Sequence, residues 1–400
     1  MKSMNSKRLL NTFFELVKID SPSRSEAQVA AYCENVLKKL GFSVTFDQSE
    51  KATGSDTGNI IAFLPGNTSP YAPDHASADT PGHTPSAAAG HAPESTPGHI
   101  ILSAHMDCVD PCKGVQPVLD QGIVHSAGDT ILGADDKAGI AAIFEAIQSL
   151  IEEGAPRPSI SVLLTTCEEL SLLGSGALSE QSLPEGAPCF VFDAGGAPGT
   201  IIVGAPFHYT LEAIFTGKAA HAGAEPEAGI SAIQAAAKAI ADMQLGRLDE
   251  TTTANIGIVK GGHEVNVIPD RCMIKGECRS LASDRVEACK AQMTKACEEA
   301  AEQVGASVQL SWTLDYPGVL YDKDDALVLA LIAAAQDAEL KPQIAISGGG
   351  ADANILAAKG VSAITLGIGM TSYHSLEEHI SLEDLEGTAR FAKSIIRHYA

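Results

Sequence analysis

Basic residues are scarce in this chain: 27 lysines and arginines stand against 50 aspartates and glutamates, a formal net charge of -23 over 400 residues. That acidic surplus repels nucleic-acid phosphates and anionic membrane surfaces, so neither is an expected partner. Long hydrophobic runs are also lacking. No segment approaches the roughly eighteen uninterrupted apolar residues of a membrane-spanning helix. The start, Met1-Lys2-Ser3-Met4-Asn5-Ser6-Lys7, leads straight into a helical pattern, without the apolar core and small-residue cleavage site of a signal peptide. Cys-x-x-Cys pairs are absent. The nine cysteines are odd in number and scattered, which argues against a disulfide framework and for reduced thiols in the cytoplasm.

What is present reads as globular: 45% hydrophobic and 19% charged residues, in a chain long enough for two domains. From Ala27 to Leu40 the apolar residues Val29, Tyr32, Cys33, Val36, Leu37 and Leu40 share one helical face, and Gly41 is a natural stop. Strands are expected at 42–46 and 59–64. Residues 66–98 differ, being rich in Pro, Gly, Ala, Ser, Thr and His, with Gly-His at Gly82-His83, Gly90-His91 and Gly98-His99. Such a composition predicts a flexible surface insertion, more a tolerated one than a histidine loop that gathers metal.

Regular alternation follows: a strand at 100–104, a helix at 137–153, and strands at 160–166 and 190–192. Short, wholly apolar strands suit a sheet buried on both faces. The pattern predicts an α/β domain, its sheet mostly parallel with helices on both faces. Past Pro206, strands at 208–215, 255–259 and 271–278 interleave with helices at 229–243 and 284–304. That texture predicts a small α+β domain inserted into the first. After Pro317 the α/β texture returns, with a helix at 326–338 and a strand at 362–366. The expected organisation is a discontinuous domain of 1–205 and 318–400 around an insert of 206–317.

Metal-competent side chains fall at the ends of these elements. His105 and Asp107 follow the strand at 100–104, where open α/β sheets place their sites. Asp107 can accept a hydrogen bond from the histidine's second nitrogen and fix its tautomer. Asp135 and Asp136 precede Lys137 at a helix start; adjacent aspartates there either cap the helix or bridge two cations. Glu168 and Glu169 follow Thr165-Thr166-Cys167, and one suits a metal while the other suits proton transfer. Asp193 lies in Phe192-Asp193-Ala194-Gly195-Gly196, and His374 in Tyr373-His374-Ser375-Leu376-Glu377-Glu378. Two imidazoles and several carboxylates make the ligand set of a two-metal hydrolase.

In order and context these segments resemble the M20-type dizinc metallopeptidases, the family of peptidase T, carboxypeptidase G2, the aminoacylases and succinyl-diaminopimelate desuccinylase. The run Leu132-Gly133-Ala134-Asp135-Asp136-Lys137-Ala138-Gly139, together with Phe192 to Gly196, looks most like the peptidase T subgroup. The resemblance implies a zinc-exopeptidase catalytic domain with an inserted lid and dimerisation domain, and a homodimer. Two zinc ions would be bound, with cobalt or manganese as substitutes. His105 and Asp193 would hold one ion, Glu169 and His374 the other, and Asp135 would bridge them. It selects Asp135 over Asp136 because the bridging residue is two before the lysine, and it implies a non-proline cis peptide after that aspartate. Glu168 would be the general base and Asp107 the partner of His105.

In the insert, Ala220-His221-Ala222-Gly223 resembles a lid segment whose histidine reaches the partner's active site. Asn266, in Asn266-Val267-Ile268-Pro269, Arg279, and Gly349, in the loop Ser347 to Asn354, would contact substrate. The implied activity is release of the N-terminal residue from tripeptides. A carboxypeptidase or an N-acyl-amino-acid amidohydrolase shares the chemistry, and a non-catalytic peptide-binding dimer has no use for Glu168. Two places depart from the family pattern. Cys108 stands where relatives carry Thr, and Ser375-Leu376-Glu377 replaces Gly-Pro-Asn; the first puts an oxidation-sensitive thiol beside the metals, the second bears on substrate choice.

Overall fold

The computed structural model describes residues 4–67 and 98–400. Most of the expected insertion, 68–97, lies outside the described residues. The chain divides into two compact units. One comprises Met1–Ile201, Ala326–Gln343 and Val361–Ala400; the other comprises Ile202–Asp325 and Ile344–Gly360.

In the first unit six strands run in the order Ser43–Phe46, Ile60–Leu64, Ser159–Thr165, His99–His105, Cys189–Ala194, Ala363–Gly367. The last four pair in parallel, and the first two add antiparallel at the edge. His99–His105 and Ser159–Thr165 are buried along almost their whole length, so both faces are covered, as their unbroken apolar runs require. Helix Ala134–Glu153 packs against the strands ending at His105 and Ala194, and helices Ser6–Val17 and Leu382–His398 pack against it in turn. Parallel pairing sends the strand ends at His105, Thr165 and Ala194 out at one edge of the sheet, which is what gathers the site.

The second unit holds an antiparallel sheet in the order Gly246–Arg247, Thr252–Gly261, Arg271–Ser280, Phe207–Thr216, Ser307–Tyr316. Arg271–Ser280 alternates strictly, with Cys272, Ile274 and Cys278 turned into the core against helices Ala232–Asp242 and Ser283–Val304. This unit also takes in Ile344–Gly360, a stretch whose α/β texture assigned it to the first domain. The reason is local bonding: Gly350 N donates to the Tyr316 hydroxyl at 2.9 Å, and Asn354 Nδ2 donates to the Pro317 carbonyl at 2.8 Å.

Candidate metal centre

His105 closes its strand and is buried. Its Nδ1 lies 2.9 Å from the Asp107 carbonyl. A carbonyl only accepts, so Nδ1 carries the proton and the Nε2 lone pair is free for a cation. The Asp107 carboxylate faces the same nitrogen, its nearest oxygen 3.5 Å from Nδ1. That carboxylate also accepts from the amides of Glu168 at 2.9 Å and Glu169 at 3.3 Å, and from Ser23 Oγ at 2.6 Å. Asp107 thus faces His105 with both its carbonyl and its carboxylate, and holds the glutamate turn through its side chain.

Asp135 and Asp136 follow Gly133, which adopts a left-handed φ of 75°. Neither aspartate has helical backbone angles, and the peptide between them is cis, as the resemblance implies. The two side chains part company there. Asp136 Oδ2 turns back to accept from the His105 amide at 3.1 Å. Asp135 presents one oxygen to each histidine: Oδ1 is 3.0 Å from His105 Nε2, and Oδ2 is 3.2 Å from His374 Nε2. Asp193 Oδ1 stands 3.7 Å from His105 Nε2, and Glu169 lies 3.0 Å from His374 Nε2. Two potential ligand triads result, His105–Asp135–Asp193 and Asp135–Glu169–His374, joined through Asp135. Glu168 lies in a third grouping with His105 and Glu169.

The electrostatics favour cations. Burial and then the Glu168 charge push Asp193 well above the usual carboxylate range, and burial also raises Glu169. Burial alone would raise Asp135 too, yet the two imidazoles, one on each oxygen, hold it below its ordinary value. In turn Asp135 and Glu169 lift His374 to about 10. Burial opposes a charged His105, but Asp193, Asp107 and Asp135 outweigh it and raise the ring well above its usual pKa. Buried acids that draw positive charge onto both histidines, through nitrogen and oxygen donors, fit two divalent cations.

In the second unit His221 is exposed, and its Nδ1 accepts from the amides of Gly223 at 3.2 Å and Ala224 at 3.0 Å. Its proton therefore sits on Nε2, which becomes the donor. Asn266 belongs to the same corner, its carbonyl accepting from Ala222 N at 2.9 Å. Arg279 and Gly349 meet elsewhere in the unit. The Arg279 guanidinium donates to Glu277 Oε2 at 2.9 Å, to the Gly348 carbonyl at 3.1 Å and to the Tyr316 hydroxyl at 3.3 Å.

Two buried glutamates near the metal-competent cluster went unread in the sequence. Glu26 Oε1 accepts from Cys167 N at 3.0 Å, and Oε2 from Ser55 Oγ at 2.5 Å. Cys167 has φ of 51°, a left-handed conformation that costs a residue with a Cβ about 1–3 kcal/mol and needs such anchors. Glu378 accepts from the amides of Gly133 and Asp135. Only its place four residues after His374 hinted at this. Cys108 is buried, and burial pushes its thiol up.

Comparison with known proteins agrees with this geometry. A model of peptidase family M20/M25/M40 matches residues 101–398. The protein YqjE of Bacillus subtilis (strain 168) is 38% identical over 397 residues, 99% of this chain and 100% of that one. The structure of an aminopeptidase PepT from Bacillus cereus ATCC 10987 superposes with a TM-score of 0.86 at 36% identity, covering 99% of both chains. That of a tripeptidase from Staphylococcus aureus subsp. aureus Mu50 gives 0.89 at 32% identity, again over 99% of both. With its family model spanning most of the chain and its metal-competent residues gathered at the sheet edge, this protein belongs to peptidase family M20/M25/M40.

Proposed function

We propose that this chain is a dizinc aminopeptidase that releases the N-terminal residue of tripeptides. Metal-dependent hydrolysis of short peptides is the activity of this M20 enzyme, aminopeptidase-like in kind. The observation that carries the two-metal reading is Asp135, with one oxygen facing each histidine at 3.0 and 3.2 Å. One imidazole per site among carboxylates suits zinc, with cobalt or manganese as substitutes. Metal analysis should return two divalent ions per chain at saturation; a single ion, or none, would overturn the bridged arrangement.

Divalent cations held by His105, Asp135, Asp193, Glu169 and His374 would supply Lewis acidity, making water a stronger acid and polarising the scissile carbonyl. The chain's residues do the rest. Glu168, its backbone fixed by Asp107, accepts the attacking water's proton on a carboxylate oxygen and passes it to the leaving nitrogen. The proton on His105 Nδ1, held by the Asp107 carbonyl, keeps Nε2 a donor of electrons only.

The reading includes a homodimer through residues 206–317, with His221 completing the partner's site. Strand Gly246–Arg247 pairs only with Thr253 and Ala254, so among the described residues Asn255 to Gly261 have no strand of their own sheet on that edge. Ile258 and Val259 are exposed there, an edge suited to a second copy. Nine free, buried thiols support a reducing, cytoplasmic setting. No helix among the described residues is long and apolar enough to cross a membrane.

For the substrate, Arg279, held by Glu277 and Tyr316, offers a guanidinium suited to a peptide carboxylate, and a carboxylate-rich metal centre suits a peptide's free ammonium. Metal-loaded protein should cleave free tripeptides and leave N-acetylated ones untouched. Arg279→Ala should lower kcat/KM by roughly 10- to 100-fold, the worth of a charge-assisted hydrogen bond. Efficient cleavage of N-acetylated peptides alone would make this a carboxypeptidase or amidohydrolase instead.

A further inference from the structure

Glu378 is almost completely buried, and neither the metal-ligand set nor the proton path uses it. Its two oxygens are engaged separately: Oε2 accepts from Gly133 N at 2.7 Å, and Oε1 from Asp135 N at 3.0 Å. The residue itself lies in the turn that follows His374, where its own amide donates to the Ser375 carbonyl at 3.1 Å. One side chain therefore ties the segment bearing His374 to the segment bearing Asp135, 243 positions away. Those segments supply two of the three members of the triad Asp135–Glu169–His374.

We propose that Glu378 is a positioning residue that sets the spacing between Asp135 and His374 and thereby the affinity of the metal site they share with Glu169. The inference rests on the two-metal reading. The geometry of the clamp makes it specific. Both amides only donate, so both of the clamping atoms have to be acceptors. A glutamine has nearly the same shape but offers one acceptor and one NH2 group. One of the two amides would then face a donor at a buried side chain, and the loop would move away from it. Gly133 gives that loop little other restraint, since glycine holds its left-handed φ without a side chain to pack. The His105–Asp135–Asp193 triad shares Asp135, but its His105 is fixed separately by the Asp107 carbonyl and by Asp136 Oδ2, so the larger loss is expected at the site that contains both clamped segments.

The test is zinc titration of the full-length apoprotein by calorimetry, with Glu378→Gln beside wild type and Glu377→Gln as control. Glu377 is the exposed neighbour, so its substitution removes the same charge without the clamp. Wild type and Glu377→Gln should bind two equivalents with the same pair of affinities. Glu378→Gln should bind zinc about 10- to 100-fold more weakly than wild type in at least one of its two equivalents, the usual cost of losing a group that orients a ligand. Its kcat at limiting zinc should fall by a similar factor and recover as zinc is raised. Glu378→Asp, which keeps two acceptors on a shorter stem, should fall between the two. Affinities in Glu378→Gln equal to those in Glu377→Gln would overturn the clamp while leaving the two-metal reading standing. A wild-type protein that binds fewer than two equivalents would overturn that reading itself.

Discussion

Glu168→Gln should lower turnover roughly 10²- to 10⁴-fold while two divalent ions stay bound. The amide keeps the length and shape of the side chain, and its oxygen can still accept a hydrogen bond from water. It has no pKa in the working range and cannot take the proton away. Metal content should survive because Asp135, Glu169, Asp193 and the two histidines complete both triads without Glu168. The fold should survive too, since the turn is held through backbone amides: Glu168 N and Glu169 N to Asp107, and Cys167 N to Glu26. The informative pair of measurements is single-turnover rate and bound metal on the same preparation. A slow variant with full metal assigns proton transfer to Glu168. Wild-type turnover with full metal would move that role to another group, and loss of metal would make Glu168 a ligand.

The contrast between Glu168 and Glu378 shows how far a sequence can be read here. The metal-competent residues were legible because parallel strands deliver their C-terminal ends to one edge, and apolar runs ending at His105, Thr165 and Ala194 mark those ends plainly. Asp135 could be separated from Asp136 only through family resemblance; both are acids at a helix start, and it is the backbone between them that sends one to the histidines and the other to an amide. Glu26 and Glu378 were illegible for a different reason. An acid that accepts backbone amides has the same local sequence as a solvated one. Its partners, Cys167 in one case and Gly133 with Asp135 in the other, lie more than a hundred positions away. The same holds for Ile344–Gly360, whose glycines read as a loop of the first domain until Tyr316 and Arg279 are found bonded to them.

His221→Ala and Glu168→Gln chains, each nearly inactive alone, should regain activity when mixed. The expectation follows from the state of the His221 ring. Two amides hold Nδ1 as an acceptor, so Nε2–H is a neutral donor of fixed direction on an exposed corner. Such a donor suits an oxyanion developing on a carbonyl under attack, and removing one donor of this kind costs about 10²–10³ in rate. If His221 serves the partner's metal centre, a mixed dimer contains one site with an intact Glu168 and an intact His221, and one site lacking both. Random exchange in an equal mixture makes half the dimers mixed, so about a quarter of all sites become whole. Recovery near that fraction, with subunit exchange confirmed by mass spectrometry, assigns His221 to the neighbouring chain. If His221 served its own chain, every site in the mixed dimer would lack one group, and activity would stay at the level of the parents. Complete exchange without recovery would therefore remove His221 from the partner's site. It would leave the exposed edge of strand Thr252–Gly261 as the remaining support for a dimer, one that buries that edge and has no part in catalysis.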